Sequence, residues 1–246
     1  MCDTEAMGNT RVVSNARQRV REAVSADIVA EARRQLAIEG AAALSLRAVA
    51  RELGMASSAV YRYFPSRDEL LTALIVEGYD ALGEVAEAAA ATGGGTFRRF
   101  QAVCRAVRGW ALEHPHEYAL LYGSPIPGYR APGLTVGPAS RVTLVLTAIV
   151  LEAHRAGELT VPEDPPLSRA MAAAVRPIGQ GVLPGVPLPI VARALAVWPQ
   201  LFGQISFELF GRFDDLVHDT EVFFDFAVAE MAGLVGMHPR SGPRHN

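Results

Sequence analysis

Lysine is absent from this chain: all 23 basic residues are arginine. Beside the abundance of alanine, that bias marks a GC-rich genome rather than selection for guanidinium chemistry. Cysteine occurs only at Cys2 and Cys104, too few for a disulfide framework and suited to a reducing cytoplasm. The longest apolar runs, such as Val142 to Leu151, carry polar interruptions and fall short of the ~18 residues of a membrane span. No amino-terminal apolar stretch with a basic flank reads as a signal peptide, so no membrane partner is expected.

Catalytic signatures are missing as well. The glycines at 93 to 95 lack the Lys and following Ser or Thr of a phosphate-binding loop, and neither H-E-x-x-H nor G-x-S-x-G occurs. His114 and His116 flank Pro115, with no carboxylate or cysteine cluster at ligand spacing beside them. The sequence therefore predicts no catalytic residue, no metal ligand and no cofactor. Sustained period-2 alternation is also lacking, which excludes a sheet protein and leaves an all-α fold.

What is present is core-forming material. Half of the 246 residues are apolar, 20% are charged and the net charge is only -3, which excludes a disordered polyelectrolyte. The charge is unevenly spread. Residues 11 to 67 carry ten Arg against five acids, whereas residues 68 to 246 carry thirteen Arg against nineteen acids. A near-neutral chain thus has a basic front end, the kind of patch that phosphates attract.

Residues 1–22 are polar and arginine-bearing without an apolar period, and read as a flexible basic arm. From Ser25, the positions Ile28, Val29, Ala32, Leu36 and Ala37 recur at helical spacing until Gly40. Ser45 can cap a second helix with Val49, Ala50 and Leu53 inward, and Gly54 suits the left-handed residue that ends it. Ser57 can cap a third, carrying Val60, Tyr61 and Phe64 until Pro65. Ser66 and Glu69 then make a capping box that opens a long helix. Further helical patterns begin at Thr96 and Pro115 and cover about 138 to 156, 166 to 176, 189 to 211 and 215 to 236. Residues 123 to 138, with four prolines and four glycines, read as a loop.

Two short helices joined by about three residues containing Gly have helix-turn-helix geometry, in which the second helix enters the major groove. A groove about 12 Å wide admits a helix whose leading face carries short groups. Ser57, Ser58 and Ala59 supply that face. Tyr61, Tyr63 and Arg62 can reach phosphate, Arg62 also a guanine edge; Ser45 and Arg47 can clamp the neighbouring strand, and Arg67 lies in the first turn of the long helix. As alternatives, Ser45, Ser57 and Ser66 are also plain helix caps, Phe64 and Tyr63 suit a core, and Arg21 and Arg51 suit solvent. The joint spacing favours DNA.

The stretch S-L-R-A-V-A-R-E-L-G-M-A-S-S-A-V-Y-R-Y-F-P-S-R-D-E-L-L, preceded by a helix ending in I-E-G, resembles the TetR/AcrR family of bacterial regulators over about 50 residues. The family's DNA-contacting positions fall here on Ser45, Leu46, Arg47, Ser57, Ser58, Ala59, Tyr61, Arg62, Tyr63 and Arg67. Leu46 departs from the commoner pattern because it cannot donate a hydrogen bond; Arg67 replaces a frequent Lys and keeps its charge. Farther on, W-A-L-E-H-P-H-E-Y-A-L-L-Y-G-S-P-I-P-G-Y-R-A-P resembles the subgroup whose carboxy-terminal, effector-binding domain is called WHG.

The expected organisation is a basic arm at 1–22, a DNA-binding domain at 23–68, a helical effector and dimerisation domain at 69–236, and a disordered tail at 237–246. Phe100, Cys104, Val107, Trp110, Tyr118, Tyr122, Tyr129 and Arg176 are the candidate ligand-binding residues, beside Leu121 and Gln180, with a filled core as the bland alternative. The last two helical patterns are apolar beyond the need of their own hairpin, and the resemblance implies that they pair across a two-fold. Val191, Leu195, Trp198, Phe202, Phe223 and Phe226 are the candidate dimer contacts. The implied function is a homodimeric, nucleoid-associated repressor, holding two recognition helices ~34 Å apart on a pseudo-palindromic operator and released when a small, largely apolar effector shifts the long helix. A helical protein-interaction adaptor and a small-molecule-binding enzyme are the alternatives.

Overall fold

The computed structural model describes residues 4–161 and 166–239, and side chains from residue 16 onward. Among the described residues it is all-helical. In order come α1 (Thr4–Glu39), α2 (Leu46–Glu52), α3 (Ser57–Val60), α4 (Arg67–Ala90), α5 (Thr96–Glu113), α6 (Pro115–Tyr122), α7 (Val136–Arg155), α8 (Arg169–Val182), α9 (Leu188–Leu209) and α10 (Thr220–Leu234). Two compact units result. One comprises Met1–Glu77 with Ser124–Pro132, and the other Gly78–Gly123 with Gly133–Asn246.

In the first unit, Ile28, Val29, Ala32 and Leu36 of α1 are buried, as are Leu46, Val49 and Ala50 of α2, Val60 of α3 and Leu70, Leu71 and Leu74 of α4. Ser45 caps α2 by accepting from the Ala48 amide at 3.4 Å. Gly54 follows that helix with φ 63°, a left-handed conformation that favours glycine. Ser66 accepts from the Glu69 amide at 3.1 Å and starts α4. Emptying one of these sites, for example Leu36→Ala, costs about 2–5 kcal/mol.

In its element boundaries the structure departs from the sequence reading in four places. The arm expected to be flexible is helical from Thr4, and residues 1–3 of it lie outside the described residues. Polar residues without an apolar period can still propagate a helix from a packed one, and here Gln18 donates to Glu22 one turn later at 2.8 Å. Secondly, the cap of α3 is Ala56, not Ser57, which stands at the first helical position. Thirdly, α10 starts at an Asp219 cap, whose carboxylate accepts from the Val222 amide at 2.9 Å, rather than near residue 215. Finally, Met237 of the expected tail is buried and its amide donates to the Ala232 carbonyl; residues 240–246 lie outside the described residues.

The second unit is built around Leu82, Phe100, Val103, Cys104, Val107, Tyr118, Ile149, Ile190, Leu201, Ile205, Phe224 and Val228, all buried. The stretch Gly133–Arg155 holds an 18-residue window with a mean hydropathy of 1.7, which by length and composition alone is enough to cross a membrane. Its Val142, Leu146, Ile149, Val150 and Ala153 instead enter this core. Arg108 makes a bidentate pair with Glu208 at 2.8 and 2.6 Å, joining α5 to α9. Arg141 of α7 crosses α4 at Gly83, where a Cβ would fall 2.6 Å from its Nε, and its guanidinium reaches Asp80 and Glu87 on either side.

Candidate nucleic-acid interface and apolar cavity

α3 begins with Ser57 and Ser58 exposed and Ala59 half-buried, while Val60 behind them is fully buried. One face of this short helix is thus anchored in the core, and the opposite face offers two hydroxyls and a methyl group. Tyr61 is 41% exposed, and Arg47 and Arg62 are exposed with no ion pair among the described residues. Leu46, a family contact position, is buried and packs inward instead. An isobutyl group beside a polar surface lowers its free energy by leaving water.

Arg62 and Tyr63 share a groove with Ala16, Arg17, Val20 and Arg21 of α1. The Arg21 guanidinium lies 5.6 Å from the centroid of the Tyr63 ring, so the π face holds a cation in place. Arg17 and Arg21 stand one helical turn apart and therefore on one side of α1. The amino-terminal half of α1, which the sequence reading left as an arm, brings these guanidiniums to the end of α3.

Arg67 has internal partners that its place in the first turn of α4 did not foretell. Its Nε donates to the Leu44 carbonyl at 3.1 Å and its Nη2 to the carbonyls of Ala41 and Ala42 at 2.7 and 3.1 Å. The side chain staples the turn before α2 to the first turn of α4.

The cavity of the second unit takes one of the candidate ligand residues and three of the candidate dimer residues. A cavity of about 170 Å³ in the second unit is walled by α5, α7, α8 and α9 and closed by Val235 after α10. Of the eight candidate ligand residues, Phe100 lines it. Cys104, Val107 and Trp110 are buried in the core, and burial pushes the Cys104 thiol well above its ordinary range. Tyr118 donates from its hydroxyl to the Phe202 carbonyl at 2.8 Å and lies 3.1 Å from Ser206 Oγ; burial pushes this phenol up to about 12. Tyr122 stacks on Phe202 with centroids 4.2 Å apart. Tyr129 belongs to the first unit, where its hydroxyl is 2.9 Å from Thr72 Oγ1. Arg176 and Gln180 are exposed.

Three of the six candidate dimer residues, Val191, Leu195 and Trp198, line the cavity instead. Phe202 is buried by its stack on Tyr122. Phe223 is half-buried, edge-on to Phe213 at 5.6 Å. Phe226 alone of the six is exposed away from the cavity, at 60%. Periodicity finds an apolar face but not what covers it.

A short helix pair with an anchored, serine-edged second helix and flanking guanidiniums is a DNA-reading device of the helix-turn-helix class. The family profile described as "Bacterial regulatory proteins, tetR family" matches residues 28–74. A second, "Tetracyclin repressor-like, C-terminal domain", matches residues 100–231, the region in which the WHG resemblance falls. The HTH-type transcriptional regulator Rv1816 of Mycobacterium tuberculosis is 38% identical over 245 residues, spanning 97% of this chain and 100% of that one. The crystal structure of the regulatory protein SCO4313 superposes with a TM-score of 0.72 at 35% identity, covering 88% of this chain and 98% of that one. A Rhodococcus sp. RHA1 protein of unknown function follows with TM-score 0.62 and 25% identity, over 86% and 93% of the two chains.

The chain belongs to the TetR family of bacterial regulatory proteins. It is a DNA-binding transcriptional regulator, not an enzyme. Binding DNA in a bacterium places its work in the cytoplasm.

Proposed function

We propose that this regulator is a nucleoid-associated homodimer that represses from a pseudo-palindromic operator and is released by a small, largely apolar effector held in the second unit. The observation that carries the DNA half is the first turn of α3, exposed at Ser57 and Ser58 over a fully buried Val60. Ser57, Ser58, Ala59 and Arg62 read base edges. Ser45, Arg47, Tyr61 and Tyr63 hold backbone phosphates, joined by Arg17 and Arg21 from α1, and Arg67 acts by fixing the turn before α2.

Support for dimerisation comes from the exposed apolar residues Phe207, Phe210, Val222, Phe226 and Leu234 on and beside α9 and α10, an apolar face that a second copy would cover. The effector acts through α4, favouring a conformer that binds the operator less tightly. Operator binding is tested by gel shift on DNA upstream of the gene, with Arg47→Ala and Tyr61→Ala alongside the parent. Both variants are expected to bind more weakly; binding by both at parental affinity overturns the assignment.

A further inference from the structure

Unit 2 holds a cavity whose lining is unusual in its chemistry. Phe100, Leu146, Val150, Ile178 and Leu201 are representative of it, and the side chains in its lining that carry a polar group are Thr143, Thr147 and the indole of Trp198. The Thr147 hydroxyl is already turned to its own helix, donating to the carbonyls of Thr143 and Leu144 at 2.9 and 3.0 Å. No charged side chain lines the space. The walls are secured from outside it, by the Arg108–Glu208 pair between α5 and α9.

We propose that this cavity is a binding site for a neutral, hydrocarbon-rich molecule about the size of a singly substituted benzene, carrying at most one hydroxyl-type group, and that it rejects carboxylates and amines of equal size. The inference rests on the reading of unit 2 as an effector domain and narrows its ligand. Size follows from volume: a cavity of about 150 Å³ lined by Leu, Ile and Phe holds benzene, and this one measures about 170 Å³. Charge selection follows from the lining, because an ion leaving water here meets neither a counter-charge nor enough donors to replace its hydration.

Entry is on the side where the lining reaches solvent, at Val182 of α8 and Leu195 and Trp198 of α9, which are 38%, 42% and 43% exposed. Trp198 is one of two tryptophans. The other, Trp110, is buried against His114 and does not line the cavity. A molecule arriving in the site therefore touches one indole and not the other.

The test uses the full chain without DNA and three probes of nearly equal shape: toluene, benzoate and benzylamine. Toluene is expected to raise the unfolding temperature and to change tryptophan emission, with benzoate and benzylamine binding at least about tenfold more weakly. In Trp198→Phe the emission change is lost while the thermal shift by toluene remains; in Ala194→Leu, which fills part of the void, the thermal shift is lost. The proposal is overturned if benzoate or benzylamine binds as tightly as toluene, if toluene changes neither readout, or if the emission change survives in Trp198→Phe. Because no DNA is present, failure here leaves operator binding untouched, and failure of operator binding leaves these titrations untouched.

Discussion

Arg67 donates to the carbonyl of Leu44 across 23 residues of sequence, at 3.1 Å. Its guanidinium also serves Ala41 and Ala42, so one planar cation holds the three carbonyls that set the entry to α2. Such a fork has no equivalent in a single ammonium group. Arg67→Lys and Arg67→Ala are therefore both expected to destabilise the first unit, by about 1–3 kcal/mol, measured by thermal or urea unfolding. Their DNA affinity should fall by a factor that does not vary with salt, since no phosphate contact is removed.

The opposite behaviour is expected of the groove between α1 and α3. Arg17→Ala and Arg21→Ala should each lower the slope of log affinity against log salt by about 1, because each phosphate contact releases roughly one counterion. Binding titrations at four or five salt concentrations measure this. An unchanged slope in both variants would remove α1 from the interface.

The hydroxyl of Tyr118 spans α6 to α9, where it meets the Phe202 carbonyl and Ser206. Tyr118→Phe leaves the ring in its buried place and deletes that bond, at a cost of about 1 kcal/mol. Calorimetric unfolding should show the loss. Equal stability of the two proteins would mean that this bond contributes nothing net.

Acid should loosen the second unit. Glu208 is pushed upward by burial, yet its bond and charge contact with Arg108, together with a bond from Thr220, bring it below its ordinary value of 4.5. Its folded-state value is thus lower than its unfolded one, so its stabilising contribution is complete above about 4.5 and disappears as pH falls through the lower, folded value. Stability measured from pH 6 to pH 3 is expected to decline, and Glu208→Gln should decline less steeply over that range from a lower starting point. Parallel curves for the two proteins would count against this role.

The helix-turn-helix was legible because its signals are local. Ser45, Gly54, Ser66 and Glu69 are caps and stops written within a few residues of the backbone groups they satisfy. The amino-terminal half of α1 was not legible, since apolar spacing reports burial and none of the described side chains from Ala16 to Asp27 is buried. The internal partners of Arg67 were hidden for a related reason: they are carbonyls on a distant turn, and every residue type carries a carbonyl. In the second unit the spacing of Val191, Leu195 and Trp198 revealed an apolar stripe, but a stripe reads the same against a cavity, a core or a second copy. Tyr129 was grouped with the aromatics that precede it in sequence, whereas the loop carries it to Thr72.

Every cation at the groove formed by Arg17, Arg21 and Arg62 is a guanidinium, and the whole chain offers no lysine. Guanidinium stays protonated at any pH a cell reaches. Enzymes that acylate lysine side chains, a common means of switching off basic surfaces, have no substrate here. Control over this interface must therefore come from moving the arginines, not from neutralising them.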